Sequence, residues 1–146
     1  MGRKGMRIGR AGVGVAIAAT ALAAGLASRG QAAQTGFFSQ AQVEAGKATY
    51  EAKCAACHGE TLQGETHAPA LTGDYFWSNW SGKPVRALYS RMISTMPLDD
   101  PGSMTEEEVL GVVSYALATN GMPAGPSAVT SANTLNTITL EQPAAK

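Results

Sequence analysis

The clearest pattern of apolar and polar positions lies late in the chain. Val109, Val112, Val113, Ala116 and Leu117 stand at i, i+3, i+4, i+7 and i+8, the spacing of a helix with one buried face. Thr105-Glu106-Glu107-Glu108 before them is a capping box whose acids suit the positive end of the helix dipole, and Asn120-Gly121 is a stop. Met104 fits a hydrophobic staple against Val109. A second helix starts near Pro84, where proline suits the first turn, and repeats Val85, Leu88, Tyr89 and Met92 before fading by Thr95. A third opens earlier, at the capping-box pattern Ser39-Gln40-Ala41-Gln42, and carries Val43, Gly46, Ala48 and Tyr50 near one another. An interior helical glycine is unfavourable unless a close neighbour needs the space, so Gly46 predicts a crossing helix.

Between these elements the polar pattern reads as mostly loop. Gly59 to Gly82 is punctuated by four glycines with Pro69 and Asp74, and carries the cluster Tyr75, Phe76, Trp77 and Trp80. Residues 122–146, rich in Pro, Ser, Thr, Ala and Asn, read as a flexible tail, with a docking segment as the alternative. No internal repeat is present. The organisation expected is a leader over 1–33, one mostly helical domain over 34–121 and the tail.

The leader changes the charge picture. Arg3, Lys4, Arg7 and Arg10 precede an uncharged run from Ala11 to Ala27, with small residues around Gly30 to Ala33. That is a secretory signal with cleavage after Ala32 or Ala33. The run of 17 residues is mostly Ala and Gly, weak for a membrane span, although an uncleaved anchor is the alternative. The chain has 11 basic and 11 acidic residues in all, but the exported part keeps 6 basic against 11 acidic. Such a surface argues against nucleic acid and favours partners with a basic docking face, unless the charge serves solubility alone.

The chemistry concentrates in Cys54-Ala55-Ala56-Cys57-His58, which uses both cysteines of the chain. C-x-x-C-H is the attachment signature of a c-type haem: two thiols add to the porphyrin edge and the adjacent imidazole reaches the iron. A thioredoxin-like dithiol would follow a strand, yet the preceding stretch reads as helix. Zinc would need Cys54, Cys57, His58 and His67 on one tetrahedral centre, awkward for neighbours in sequence. A Cys54–Cys57 disulfide would close only a tiny loop. One C-x-x-C-H limits the chain to one covalent haem, held through Cys54 and Cys57.

His58 leaves the opposite face of the iron to be filled. Met92 sits on an apolar helix face, Met104 in the staple, and Met122 past the stop, whereas Met96 opens a Pro-stiffened loop 38 residues after His58. A thioether there suits the sixth position. His67, only nine residues from His58, is the rival.

From Ala41 to Gly125 the chain resembles a class I c-type cytochrome. The matching residues are Gly46 and Tyr50 before the Cys54–Gly59 motif, Ala68-Pro69-Ala70-Leu71-Thr72-Gly73, Met96-Pro97 with Pro101-Gly102, and Tyr115. The run from Met96 to Gly125 is similar to monohaem cytochromes that accompany periplasmic quinoprotein dehydrogenases. The resemblance implies an all-α fold, three main helices and loops wrapped around one haem. It implies that the Pro69 carbonyl accepts the Nδ1–H of His58 and that Leu71 packs on the His58 side. Gly46 and Tyr50 would meet the last helix near Tyr115. Trp77 or Trp80 would reach a haem propionate through its indole N–H, unless both simply fill the core. The His58–Met96 spacing is short for the family, implying a more exposed haem edge.

The function expected is single-electron transfer between periplasmic redox partners by a carrier that is not itself an enzyme. Two alternatives stand beside it: an open or labile sixth site that binds a gas or peroxide, and a fixed cytochrome subunit of a dehydrogenase or oxidase complex.

Overall fold

The computed structural model describes residues 1–2, 36–66 and 68–144. Nearly all of the expected leader, its cleavage site and His67 lie outside the described residues. Among the described residues the secondary structure is helical, with three isolated bridges and no strand: α1 (Gln40–Lys53), α2 (Ala55–His58), α3 (Gly73–Trp80), α4 (Val85–Thr95), α5 (Glu106–Thr119) and a 3₁₀ turn (Ala132–Thr137).

The periodic stripes do what their spacing requires. Val109, Val112, Val113, Ala116 and Leu117 are buried along α5, and Val85, Leu88, Tyr89 and Met92 along α4. Thr105 and Glu108 close the capping box, with buried Met104 preceding it. The crossing predicted at Gly46 is present: a Cβ there would stand 1.9 Å from the carbonyl oxygen of Gly111 in α5. Farther along the same seam the rings of Tyr50 and Tyr115 meet with centroids 5.4 Å apart. Ala48, grouped with Gly46 in the sequence pattern, is exposed.

Three expectations need correction. The stretch Gly59–Gly82 is not all loop, because α3 forms within it and buries Phe76 and Trp77. Gln42 does not complete a capping box: Ser39 caps its N–H, but its side chain turns away to bond both backbone groups of Val129, donating at 2.8 Å and accepting at 3.0 Å. The segment after Gly121 is not a flexible tail. It is a strap that buries Met122, Val129, Ala132, Leu135 and Leu140 in the common core. Glu106 accepts the Ala132 N–H, and the strap's end pairs with the turn before α4 through Gly82 N–H to Leu140 O and Leu140 N–H to Lys83 O, both 2.8 Å. Composition made it look flexible because polar residues outnumber the apolar anchors.

One ion pair ties the two crossing helices outside the core. Lys53 at the end of α1 reaches Glu108 at 2.6 Å, and Glu108 also accepts the Thr105 N–H at 2.9 Å. The lysine first, then that backbone bond, hold the Glu108 carboxyl below its ordinary value of 4.5. A depressed carboxyl contributes stability that is present above its unfolded pKa and lost as pH falls through the folded one. Glu108→Gln should therefore be less stable than wild type at pH 7, by no more than about 1 kcal/mol for so exposed a pair, with the gap closing below pH 4. Urea titrations at the two pH values check this; a gap that persists in acid would contradict it.

Candidate functional site

The turn that carries the cysteines is made where α1 ends. Cys54 leaves helical geometry, yet its N–H still bonds Tyr50 O at 2.8 Å, and its own carbonyl accepts the N–H groups of Cys57 and His58. The single turn α2 that results carries half-buried Cys54, exposed Cys57 and buried His58. Tyr50 reaches past the turn and donates its hydroxyl to Gly59 O at 2.6 Å, bracing the backbone just after His58. Burial, with Cys54 close by, pushes the Tyr50 phenol up to about 12, so it donates throughout the neutral range.

His58 is oriented by the following loop. Its Nδ1 donates to the Pro69 carbonyl at 2.9 Å, since a carbonyl only accepts, and this fixes the tautomer that leaves Nε2 as the lone-pair nitrogen. The loop is shaped by Leu62, fully buried at φ 62°, whose carbonyl accepts both Leu71 N–H and the Thr72 hydroxyl. The Glu65–Ala68 backbone pair closes it on the near side of Pro69. Leu71 is half-buried against the core.

Asn120 was legible only as a stop signal, and its side chain does more than that. Oδ1 accepts the Gly73 N–H at 3.0 Å, while Nδ2 donates to Leu71 O and to Ala116 O, both at 2.8 Å. No local pattern could have revealed a contact between residues nearly fifty apart.

Of the four methionines in the body, Met92, Met104 and Met122 are buried in the core. Met96 is half-exposed at the C-terminal end of α4, packed against that core from one side. Trp77 is buried edge-on to Phe76, ring centroids 5.2 Å apart, and Trp80 is half-buried under the Lys83 ammonium. Trp77 is thus at least partly core filling, and no hydrogen bond between described residues uses either indole N–H.

The donor set suits a c-type haem and not its competitors. Both thiols are free, so no disulfide is formed. Burial, above all, pushes the Cys54 thiol up to about 11, which keeps it protonated and a poor redox dithiol. Among the described residues no three His, Cys, Asp or Glu side chains converge as metal ligands, so Cys54, Cys57 and His58 do not point at one tetrahedral centre. Two thiols and one imidazole on a single turn are the groups that attachment at two porphyrin carbons and one iron requires.

Comparison with known proteins agrees. The family model described as cytochrome c oxidase, cbb3-type, subunit III matches residues 41–115. Among solved structures, the chain is similar to a chain of the sulfane dehydrogenase SoxCD from Paracoccus pantotrophus. The TM-score is 0.53 at 19% identity, over 75% of this chain and 57% of that one. At that identity the likeness concerns the fold alone, and this chain spans less than two thirds of the other. No curated protein matches. The family match runs from the first turn of α1 to Tyr115 in α5, just over half the chain, and so this protein belongs to the c-type cytochrome domains of the cbb3-type subunit III family.

Proposed function

We propose that this chain is a single-electron carrier with one haem c, attached through Cys54 and Cys57 and ligated by His58 Nε2 and Met96 Sδ. When bound, the group supplies a one-electron ferric/ferrous couple, whose potential depends on ligands, burial and hydrogen bonds around it. The observation that carries the reading is the His58–Pro69 hydrogen bond. It occupies Nδ1 and so leaves Nε2 as the donor atom on the turn that carries both thiols. His58 is held as a stronger donor by the Pro69 carbonyl. Met96 is the methionine of the body left available by the core. Leu71 closes the His58 side, and Trp77 or Trp80 supplies an indole N–H for a propionate. With His58 and Met96 both holding the iron, no position would be left open for substrate chemistry, and the chain would carry electrons without itself being an enzyme.

The leader over 1–33 places this carrier in the periplasm, and no helix among the described residues is long and apolar enough to cross a membrane. Glu60 and Glu65 border a hollow of about 560 Å³ beside Ala55 and Ala56, and among the described residues no basic one lines it, favouring a redox partner with a basic face. A second reading has a specific support: the matched family is named as subunit III of an oxidase and the matched structure as a dehydrogenase, which fits a fixed subunit of an oxidoreductase complex. Gel filtration of native periplasm separates the two by apparent mass.

Met96→Ala is the direct test of ligation. The wild type should be low-spin and six-coordinate, with a methionine-to-ferric charge-transfer band in the near infrared. The variant should lose that band entirely and bind carbon monoxide rapidly when reduced. A band that survives the substitution would remove Met96 from the iron. Rapid tight carbon monoxide binding by the wild type would favour the open-site alternative.

A further inference from the structure

We infer that Asn120 is a positioning residue for His58. By pinning Leu71 and Gly73 to the end of α5, it keeps the Pro69 carbonyl in place and so sets how strongly the imidazole donates through Nε2. The inference rests on the haem-ligand role proposed for His58.

The Pro69 carbonyl belongs to no helix or strand, and Pro69 itself is exposed. Such an acceptor is placed only as well as its loop is placed. On the near side the loop is held by the Glu65–Ala68 pair, and on the far side by Leu62, whose side chain is buried in the core, but both of these hydrogen-bonding anchors lie within the same excursion. Among the described residues, apart from the backbone bonds inside α3, which begins at Gly73, the hydrogen bonds tying residues 68–73 to anything outside 58–73 come from Asn120. They bracket Thr72, arriving at Leu71 O and Gly73 N–H, and leave only Ala70 between the pinned segment and Pro69.

Asn120 is suited to the task because it is itself fixed. Its backbone N–H bonds Ala116 O, and its Nδ2 shares that same carbonyl, so the side chain cannot swing away from α5. Its orientation follows from its partners: Gly73 N–H can only donate, and the carbonyls of Leu71 and Ala116 can only accept. Helix termination alone would require none of the contacts to Leu71 and Gly73, since Gly121 at φ 89° already supplies the left-handed residue after the cap.

Chemically, a firmly held acceptor at Nδ1 gives the imidazole more anionic character, strengthens its donation and favours ferric iron. Slackening that acceptor should therefore raise the midpoint potential.

The test compares Asn120→Ala, Asn120→Asp and Thr119→Ala in the reduced holoprotein with ¹⁵N-labelled histidine. Thr119 donates only to Tyr115 O at the same helix end, so it controls for local loosening. In Asn120→Ala, solvent exchange of the His58 Nδ1–H should rise by about tenfold. The equilibrium constant against a fixed one-electron couple should shift about threefold towards the ferrous form. Thr119→Ala should change neither. Asn120→Asp keeps the acceptor for Gly73 and loses the donor for Leu71, so its exchange rate should fall between the two. Its potential is not compared, because the new carboxylate lowers it directly. Unchanged exchange in both Asn120 variants, alongside a lower melting temperature, would reduce Asn120 to a helix cap and overturn the inference. If Asn120→Ala fails to fold, the aspartate variant decides. If the wild type carries no covalent haem, the electron-carrier reading falls, while the exchange comparison still reads the Pro69 contact.

Discussion

A chain ending at Gly125 should be less stable than the full one by about 4 kcal/mol, and should melt roughly 15–20 °C lower. The argument starts from Leu135 and Leu140, both with no exposed surface, and from Val129 at 7% exposure. Cutting a buried leucine back to alanine costs about 2–5 kcal/mol, because the removed atoms leave a space the surroundings do not fill. Removing the strap deletes two such leucines and uncovers the apolar face of α4 against which the 3₁₀ turn packs. It also releases the entropy of ordering an irregular segment, which returns part of that loss. The Gln42 side chain would be left without its paired bonds to Val129, and Glu106 without the Ala132 N–H. For a domain whose total stability is on the order of 5–15 kcal/mol, that is a large share. Thermal melts of the two chains check it, with Leu140→Ala as a milder version of the same loss. A truncated chain melting within a few degrees of the full one would mean that the strap is as loose as its composition suggests.

The strap marks where a sequence stops being readable. Val129, Leu135 and Leu140 are six and five apart, a spacing that fits neither a helix nor a strand. Their shared feature is the surface they cover, and that surface is formed by residues far away in the chain. Gln42 fails for the same reason. Three residues after Ser39 it satisfies a local capping rule, but a backbone 87 residues away offers its amide two good bonds and wins. The short helix α3 was hidden by Gly73 and Asp74, which read as turn residues; Gly73 at φ 68° indeed turns the chain, and the helix simply begins there. By contrast, α4 and α5 were legible because each buries one continuous face, and the period of a buried face is written into the sequence. The turn proposed to hold the haem could be picked out because C-x-x-C-H chemistry demands fixed neighbours. The Pro69 contact came from family resemblance, and Asn120 from neither source, since a second layer of support leaves no trace in a single chain.

Gly46→Ala should lower stability by about 3 kcal/mol, whereas Gly111→Ala should stay within about 1 kcal/mol of wild type. Both residues sit at the α1–α5 crossing, and both are helical, so intrinsic propensity favours alanine by about 1 kcal/mol in each case. Space decides between them. A Cβ on Gly46 would lie 1.9 Å from the Gly111 carbonyl oxygen and 2.2 Å from its carbon, atoms of a helix backbone that cannot rotate aside. The helices would have to part by more than an ångström, which loosens every contact along the seam. A Cβ on Gly111 would meet its closest neighbour, the Gly46 Cα, at 3.1 Å, a crowding that a shift of a few tenths of an ångström relieves. The damage from Gly46→Ala should also reach the attachment site. Tyr50, one turn farther along α1, packs on Tyr115 and holds Gly59 O beside His58. Parting the helices pulls that hydroxyl away from the loop. The expected result is a urea midpoint far below wild type for Gly46→Ala together with a lower yield of covalently haem-loaded protein. Gly111→Ala should match wild type in both. Equal stability of the two variants would mean that α1 and α5 cross less closely than these backbones require. A destabilised Gly46→Ala with full haem loading would mean that the bracing of His58 does not depend on the seam.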